Sequence, residues 1–139
     1  MTQFINVTRL RVVTNCLLVF DLSKEKENFE LYLIGGEYRN KTGEFVGTLV
    51  IVVLNKTNIK KAFIDINAIQ DNHGFTFSIE EGHLQNLVLD KATERYLLAD
   101  AQKFNEIDFY NFYKLDNVDA LFTNQRLEKE FEKYTKIIN

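Results

Sequence analysis

Hydrophobic positions follow two different periods along the chain, and the changes of period predict strands separated by helices. Short runs rich in β-branched and aromatic residues are typical of strands. Five such runs stand in the sequence: LRVVTN (10–15), FELYLIGG (29–36), KKAFIDINAI (60–69), RYLLAD (95–100) and NVDALFTN (117–124). We expect the first of them to be a buried strand, because its β-branched residues close on a polar pair.

Three segments have the spacing of amphipathic helices. Residues 15–28 begin apolar and end in charged residues. Ser78 with Glu81 three positions later has the pattern of a capping box, which predicts that a helix begins there. The closing segment, 125–138, places four apolar residues on one helical stripe: Leu127, Phe131, Tyr134 and Ile138.

The segment TLVIVVLNKTN (48–58) is ambiguous. Its β-branched residues favour a strand by propensity. Its position between two strand-like runs favours a crossover helix instead. Both alternatives stay open from the sequence.

Helices that alternate with apolar strands predict βαβ units and therefore an α/β fold with a mostly parallel sheet flanked by helices. In such sheets ligands bind beyond the carboxyl ends of the strands. Polar or glycine residues occupy those ends here: Thr14-Asn15, Gly35-Gly36, Asp65 to Asn67, Asp100 to Lys103 and Thr123-Asn124. A small-molecule site is expected among them.

The loop LIGGEYRNKTGEFVG (33–47) holds four of the chain's six glycines. Clustered glycines let the backbone approach another group closely. Arg39 lies three residues after Gly36, and a guanidinium binds phosphate well. However, Asn40 to Gly43 is also ordinary turn chemistry, with Gly43 in the left-handed position of a hairpin. The two interpretations are equally supported.

Two pairs of charged residues are candidates for chemistry. Asp100 can accept hydrogen bonds from sugar hydroxyls, while Lys103, three residues on, can meet a phosphate. The alternative is a pair of solvated loop residues. Glu80 and Glu81 are either acid–base groups or, more simply, the capping residues of a helix.

Composition excludes several classes of protein. A chain of 139 residues with 45% apolar residues has the size and composition of one globular domain. Its net charge of −3 and pI of about 5.4 give no electrostatic footprint for nucleic acid. The lone Cys16 fits a reducing cytoplasm, and no apolar run approaches the roughly 18 residues of a membrane span. No metal-ligand spacing, cofactor motif, phosphate loop or nucleophile elbow is present.

Six segments together resemble the effector-binding domain of DeoR-type transcriptional repressors, in the same order and spacing. They are LRVVTN, LYLIGGEYRNKTGEFVG, KKAFIDINAI, FTFSIEEG, YLLADAQKF and NVDALFTN. The resemblance runs from about Phe4 over essentially the whole chain. It implies an α/β fold of the ribose-5-phosphate isomerase, glucosamine-6-phosphate deaminase and CoA-transferase type. It also implies a phosphorylated sugar as inducer, tagatose 6-phosphate or a related compound for the lactose-system members, and no cofactor.

The resemblance further implies a set of ligand-binding positions and no catalytic residue. These positions are Thr14, Asn15, Gly35, Gly36, Arg39, Gly47, Asn67, Glu81, Asp100 and Lys103. Asp65 and Ala68 stand where the family has glycines.

The sequence therefore predicts that residues 1–139 form the sugar-phosphate sensing domain of a cytoplasmic repressor, truncated at its N-terminus. We expect DNA to be bound only by the family's helix-turn-helix domain, which is missing here, and the chain to form homo-oligomers. Two alternatives stay open. One is a degenerate oligomerisation module without ligand. The other is a sugar-phosphate isomerase that uses Asp65, Glu81 and Asp100.

Overall fold

The protein is described by a computed structural model that covers residues 10–125 and 129–139. The chain divides into two compact units, Met1–Lys56 and Thr57–Asn139. Within the described residues, no helix is long and apolar enough to cross a membrane.

The described residues of the first unit, 10–56, form four strands and two helices. They are β1 (Leu10–Thr14), α1 (Leu17–Ser23), β2 (Phe29–Leu33), β3 (Glu37–Arg39), β4 (Glu44–Val46) and α2 (Thr48–Asn55). Strands β1 and β2 pair in parallel, with Leu10 opposite Phe29. Strands β3 and β4 form an antiparallel hairpin in which Arg39 lies opposite Glu44.

The strand predicted at 10–15 exists, but the expectation that it is buried was wrong. Leu10 and Val13 keep 41% and 39% of their surface exposed. None of the seven residues of α1, Leu17–Ser23, is buried, although their apolar spacing predicted an amphipathic helix. An apolar run shows that burial is favourable, but it does not show which element will cover it.

The ambiguous segment at 48–58 contains the helix α2. Val50 and Leu54, four residues apart, are buried on one side of this helix. Position in the chain therefore decided against the β propensity of its valines and isoleucine, as tertiary context often does.

In the part of the second unit that the structure describes, there are seven strands and one α-helix. They are β5 (Lys61–Asp65), β6 (Ala68–Gln70), β7 (His73–Thr76), α3 (Ile79–Lys91), β8 (Glu94–Leu98), β9 (Tyr110–Lys114), β10 (Ala120–Phe122) and β11 (Lys136–Ile138). Short 3-10 helices cover Ala101–Lys103, Leu115–Asn117 and Lys129–Phe131.

A four-stranded parallel sheet forms the centre of this unit, with the order β11-β10-β8-β5. The connection from β5 to its parallel neighbour β8 contains α3, which packs against β5. Leu89 of α3, Leu97 of β8 and Leu121 of β10 are fully buried in one apolar core. The prediction of an α/β fold with a mostly parallel sheet flanked by helices is confirmed.

Helix α3 begins at the predicted position. The hydroxyl oxygen of Ser78 accepts a hydrogen bond of 3.1 Å from the backbone N–H of Glu81. This bond satisfies one of the N–H groups that the first turn of a helix leaves without a partner.

Two predictions for the second unit were wrong. The C-terminal segment is not one amphipathic helix. Phe131 lies in a 3-10 helix, and Ile138 lies in β11, which pairs in parallel with β10; Leu127 lies outside the described residues. The run at 60–69 is not one strand either, because it leaves the parallel sheet after Asp65 and joins an antiparallel sheet, β6-β7-β9, at Ala68.

Candidate functional site

The carboxyl ends of three parallel strands lie level at one edge of the four-stranded sheet. Asp65 of β5 pairs with Leu98 of β8, and Leu98 pairs with Phe122 of β10. The residues that follow these three strands therefore leave the sheet at the same edge, where ligands of α/β proteins bind. We refer to this edge, with Asp65, Asp100, Lys103, Thr123, Asn124 and the side chain of Gln85 beside Asp65, as the carboxyl edge.

Two charged side chains of the carboxyl edge act on the carboxyl group of Asp65. The pKa of Asp65 is raised above its ordinary value, chiefly because neighbouring atoms withdraw its carboxyl from water. The ammonium of Lys103 acts in the opposite direction, and the carboxylate of Asp100 adds to the rise. The structure thus brings Asp65, Asp100 and Lys103 within electrostatic range.

The turn that carries Asp100 and Lys103 is held by hydrogen bonds. One carboxylate oxygen of Asp100 accepts the N–H of Gln102 at 3.1 Å, and the carbonyl of Asp100 accepts the N–H of Lys103 at 3.1 Å. Asn124 Oδ1, at the end of the neighbouring strand, accepts the N–H of Ala101 at 2.9 Å. The turn is therefore fixed to two strand ends.

Two buried oxygens at the carboxyl edge accept no hydrogen bond from any described residue. They are Oγ1 of Thr123 and Oε1 of Gln85. The amide nitrogen of Gln85 donates to the carbonyl of Asp65 at 3.4 Å, which places this side chain beside the end of β5. Buried polar atoms are normally hydrogen-bonded, so both oxygens mark a place for a polar partner.

Asn67 and Glu81, which the family resemblance implied as ligand-binding positions, are both in the second unit. Asn67 is half-buried, and its side-chain amide donates to Asp108 Oδ2 at 3.4 Å. Glu81 is buried in the first turn of α3. Gln85 lies four residues after Glu81 and therefore one turn further along the same face of α3.

In the first unit, Thr14 and Asn15 take part in local hydrogen bonds. The hydroxyl of Thr14 accepts the N–H of Cys16 at 3.1 Å. The side-chain amide of Asn15 donates to the carbonyl of Phe45 at 2.8 Å, and the N–H of Phe45 donates to the carbonyl of Asn15 at 2.8 Å. These bonds join the end of β1 to the hairpin.

The glycines of the first unit differ in what they do. A Cβ atom on Gly36 would lie 2.7 Å from the carbonyl oxygen of Val46, so only glycine fits there. Gly43 and Gly47 have φ angles of 70° and 97°, which disfavour other residues. Gly35 shows neither constraint, since a Cβ there would meet no described atom within 4 Å.

The hairpin interpretation of the glycine loop is what the structure shows, with Gly43 in the left-handed position between β3 and β4. Arg39 ends β3 and is exposed, and its Nη2 lies 3.5 Å from Glu37 Oε2. A hairpin and a phosphate contact by Arg39 are compatible, so the ligand role of Arg39 stays a prediction.

Comparison with known proteins identifies the family. The family model described as the DeoR C terminal sensor domain matches residues 1–125. This chain belongs to that family. The resemblance drawn from six short segments is therefore confirmed.

Three curated relatives of this DeoR sensor domain share one name. The Lactose phosphotransferase system repressor of Streptococcus mutans is 39% identical over 145 residues, which cover 100% of this chain and 57% of the relative. The protein of that name from Lactococcus lactis is 41% identical over 134 residues, covering 94% of this chain and 52% of the relative. The one from Staphylococcus epidermidis is 36% identical, covering 100% and 57%.

The DeoR sensor domain thus spans little more than half the length of these relatives. They are named as repressors and not as enzymes. Among the described residues of the domain, no group of three or more His, Cys, Asp or Glu side chains gathers to hold a metal ion.

Sequence reasoning missed Gln85 as a residue of the carboxyl edge. The signal was weak, because a glutamine in the middle of an amphipathic helix is usually a solvated surface residue. Its spacing of four from Glu81 put both side chains on one face of α3, but only the structure shows that this face reaches Asp65.

Proposed function

We propose that this DeoR sensor domain binds a phosphorylated sugar, and that binding changes the DNA affinity of a repressor that contains it. The relatives' name links repression to a lactose phosphotransferase system, and phosphoryl transfer to a sugar yields a sugar phosphate. Tagatose 6-phosphate is the ligand to test first, because the resemblance to lactose-system repressors implies it.

The carboxyl edge of the second unit is the observation that carries this function. Carboxylates accept hydrogen bonds from hydroxyl groups, and Asp65 and Asp100 stand at the ends of neighbouring strands. Lys103 lies within electrostatic range of Asp65 and supplies positive charge. Buried acceptor oxygens on Thr123 and Gln85 extend the same surface with further hydrogen-bonding capacity.

The remaining positions that the family resemblance implies stay predictions, and each is considered within its own unit. In the second unit they are Asn67 and Glu81. In the first unit they are Thr14, Asn15, Gly35, Gly36, Arg39 and Gly47. Taken by itself, the first unit offers Arg39 as the candidate for a phosphate contact, because a guanidinium matches the geometry of phosphate oxygens.

Sensing requires that the ligand distinguish two conformations. A ligand shifts an equilibrium only by the difference between its affinities for the two states. We infer that the sugar phosphate binds one conformation of the domain more tightly, and that the DNA affinity of the parent repressor follows this conformation. DNA contact belongs to another part of such a repressor, since this chain carries a net charge of −3. The domain senses its ligand and does not convert it.

A thermal-shift measurement with tagatose 6-phosphate tests this function. Ligand at one hundred times its Kd should stabilise the folded chain by about 2.7 kcal/mol. Free tagatose should stabilise it less at equal concentration. A melting temperature that no hexose or pentose phosphate changes would exclude sugar-phosphate sensing by this chain.

An aldose–ketose turnover assay on the same samples tests the isomerase alternative, and turnover would show an enzyme instead.

Self-association is a second candidate function, favoured by one surface of α2. Leu49, Val52 and Val53 lie on one exposed side of this helix, and no residue of α2 is charged. A helix that is apolar all round is usually buried. We therefore propose a homo-oligomer.

Light scattering should report a mass above 16.3 kDa for the wild-type chain. The Leu49→Gln variant should have a lower mass than the wild type, and a strictly monomeric wild-type chain contradicts this function.

A further inference from the structure

The charges at the carboxyl edge do not suit a phosphate. Asp65 and Asp100 carry two negative charges when ionised, and Lys103 carries one positive charge. A phosphate dianion placed among these groups would be attracted by one of them and repelled by two. Because two of the three charges are negative, the cluster as a whole repels an anion when both acids are ionised.

The same charges suit hydroxyl groups. An ionised carboxylate only accepts hydrogen bonds, and each oxygen can accept more than one. The hydroxyls of a sugar donate, and a hydrogen bond to a charged group is stronger than a neutral one. A neutral polyol avoids the repulsion that a phosphate meets, while Lys103 offsets the mutual repulsion of the two acids.

An exposed aromatic ring next to Asp65 points to the same ligand chemistry. Phe63 lies two residues before Asp65 on β5, so both side chains leave the same face of the sheet. Its surface is 51% exposed, and its ring stacks on Tyr96 of β8 with centroids 5.1 Å apart. A flat apolar ring beside acceptor oxygens matches a sugar, which has C–H groups on its faces and hydroxyls at its rim.

Hydrogen bonds hold the backbone of Asp65 in place, so the position from which its side chain extends is fixed. The N–H of the next residue, Ile66, donates to the carbonyl of Leu98 at 3.0 Å, and Ile66 is fully buried. The amide of Gln85 donates to the carbonyl of Asp65 at 3.4 Å. Functional groups on a fixed strand end are positioned before the ligand arrives.

We propose that Asp65 contacts the ligand and determines specificity: Asp65 and Asp100 accept hydrogen bonds from sugar hydroxyls, and the phosphate lies away from them. Lys103 then balances the charge of the two acids and does not bind the phosphate. This inference rests on the proposed sugar-phosphate sensing function and names the part of the ligand that the carboxyl edge binds.

Calorimetric titration of three ligands distinguishes binding of the sugar hydroxyls from binding of the phosphate group. Tagatose 6-phosphate, free tagatose and inorganic phosphate are titrated into the 139-residue chain and into its Asp65→Asn variant. Loss of a charge-assisted hydrogen bond should weaken binding of both sugars by about tenfold or more. The affinity for inorganic phosphate should not change. Asp71→Asn, an exposed turn residue whose φ of 50° asparagine tolerates, is the matched control and should bind like the wild type.

Two results would overturn the assignment, and a third would refute the sensing function. Tighter or unchanged binding of tagatose 6-phosphate by Asp65→Asn would place the phosphate at this edge or Asp65 outside the site. Competition is a second measurement that needs no variant: excess inorganic phosphate should leave the affinity of the wild type for free tagatose unchanged, and a competitive effect refutes the proposal. Absence of binding of any sugar phosphate to the wild type would instead refute the sensing function itself.

Discussion

At the scale of single residues, Asp65 combines a cost for folding with the binding role that we propose for it. Its pKa is raised in the folded chain, mainly by desolvation. The folded state therefore holds the proton of Asp65 more tightly than the unfolded state does. Stability is lost as the pH rises from the unfolded pKa of about 3.9 through the raised folded value.

Replacing Asp65 by asparagine should consequently stabilise the fold at neutral pH. Melting temperatures of wild type and Asp65→Asn are compared at pH 7 and at pH 3, where the aspartate is protonated in both states. The variant should melt higher at pH 7, and the difference should shrink at pH 3. A variant that melts lower than the wild type only at pH 7 would contradict the raised pKa. Stability gained at the expense of binding is common at functional sites.

The adjacent glycines Gly35 and Gly36 allow a matched comparison in the first unit. A Cβ on Gly36 would lie 2.7 Å from the carbonyl oxygen of Val46, whereas one on Gly35 would meet no described atom within 4 Å. Gly36→Ala should destabilise by about 1–3 kcal/mol, because the backbone must shift. Gly35→Ala should be close to neutral. Denaturant unfolding of both variants measures the difference, and equal effects would contradict the packing at Gly36.

At the scale of secondary-structure elements, the hydroxyl of Ser78 fixes the start of α3. Ser78→Ala removes the hydrogen bond to the N–H of Glu81 and should cost about 1 kcal/mol in unfolding free energy. Ser78→Asp restores an acceptor at the same position and should recover most of the loss. If alanine and aspartate prove equally stable, the cap contributes nothing.

Neighbouring leucines on β8 should respond differently to truncation. Leu97 is fully buried in the core of the second unit, while Leu98 is 37% exposed at the end of the strand. Leu97→Ala should cost about 2–5 kcal/mol, and Leu98→Ala should cost less. Chemical denaturation of both variants tests which face of β8 packs against the core.

Elements with a strong local signal could be predicted from the sequence, and elements fixed by distant contacts could not. Ser78 and Glu81, only three positions apart in the sequence, mark the start of α3 through the hydrogen bond between them. By contrast, β11 exists because Lys136 to Ile138 pair with β10, although their spacing also fits a helix. The hairpin was predictable because Gly43 supplies a positive φ at its turn.

The candidate site could be predicted only in part, for the same reason. Strand ends such as Asp65 and Asp100 are visible in the sequence, and the rule for parallel sheets brings them to one edge. Their charge interaction with Lys103 and the bond from Gln85 depend on distances that spacing does not give.

At the scale of the whole molecule, charge and family together assign the chain a sensing role. A net charge of −3 gives no attraction to DNA, the family model describes a sensor domain, and relatives of the chain are named repressors. The chain spans 57% of the Streptococcus mutans repressor, and a repressor also needs a surface that binds DNA. We therefore propose that this domain supplies the ligand-dependent half of a DNA-binding protein.

Direct titration of the chain with tagatose 6-phosphate tests this role most directly. The account predicts saturable binding of tagatose 6-phosphate to the wild type by calorimetry. This binding should be tighter than that of free tagatose or of inorganic phosphate alone, because one molecule carries both the sugar hydroxyls and the phosphate group. Binding should weaken in Asp65→Asn and stay unchanged in Asp71→Asn. A titration without saturable binding for tagatose 6-phosphate and for every other hexose or pentose phosphate would contradict the account.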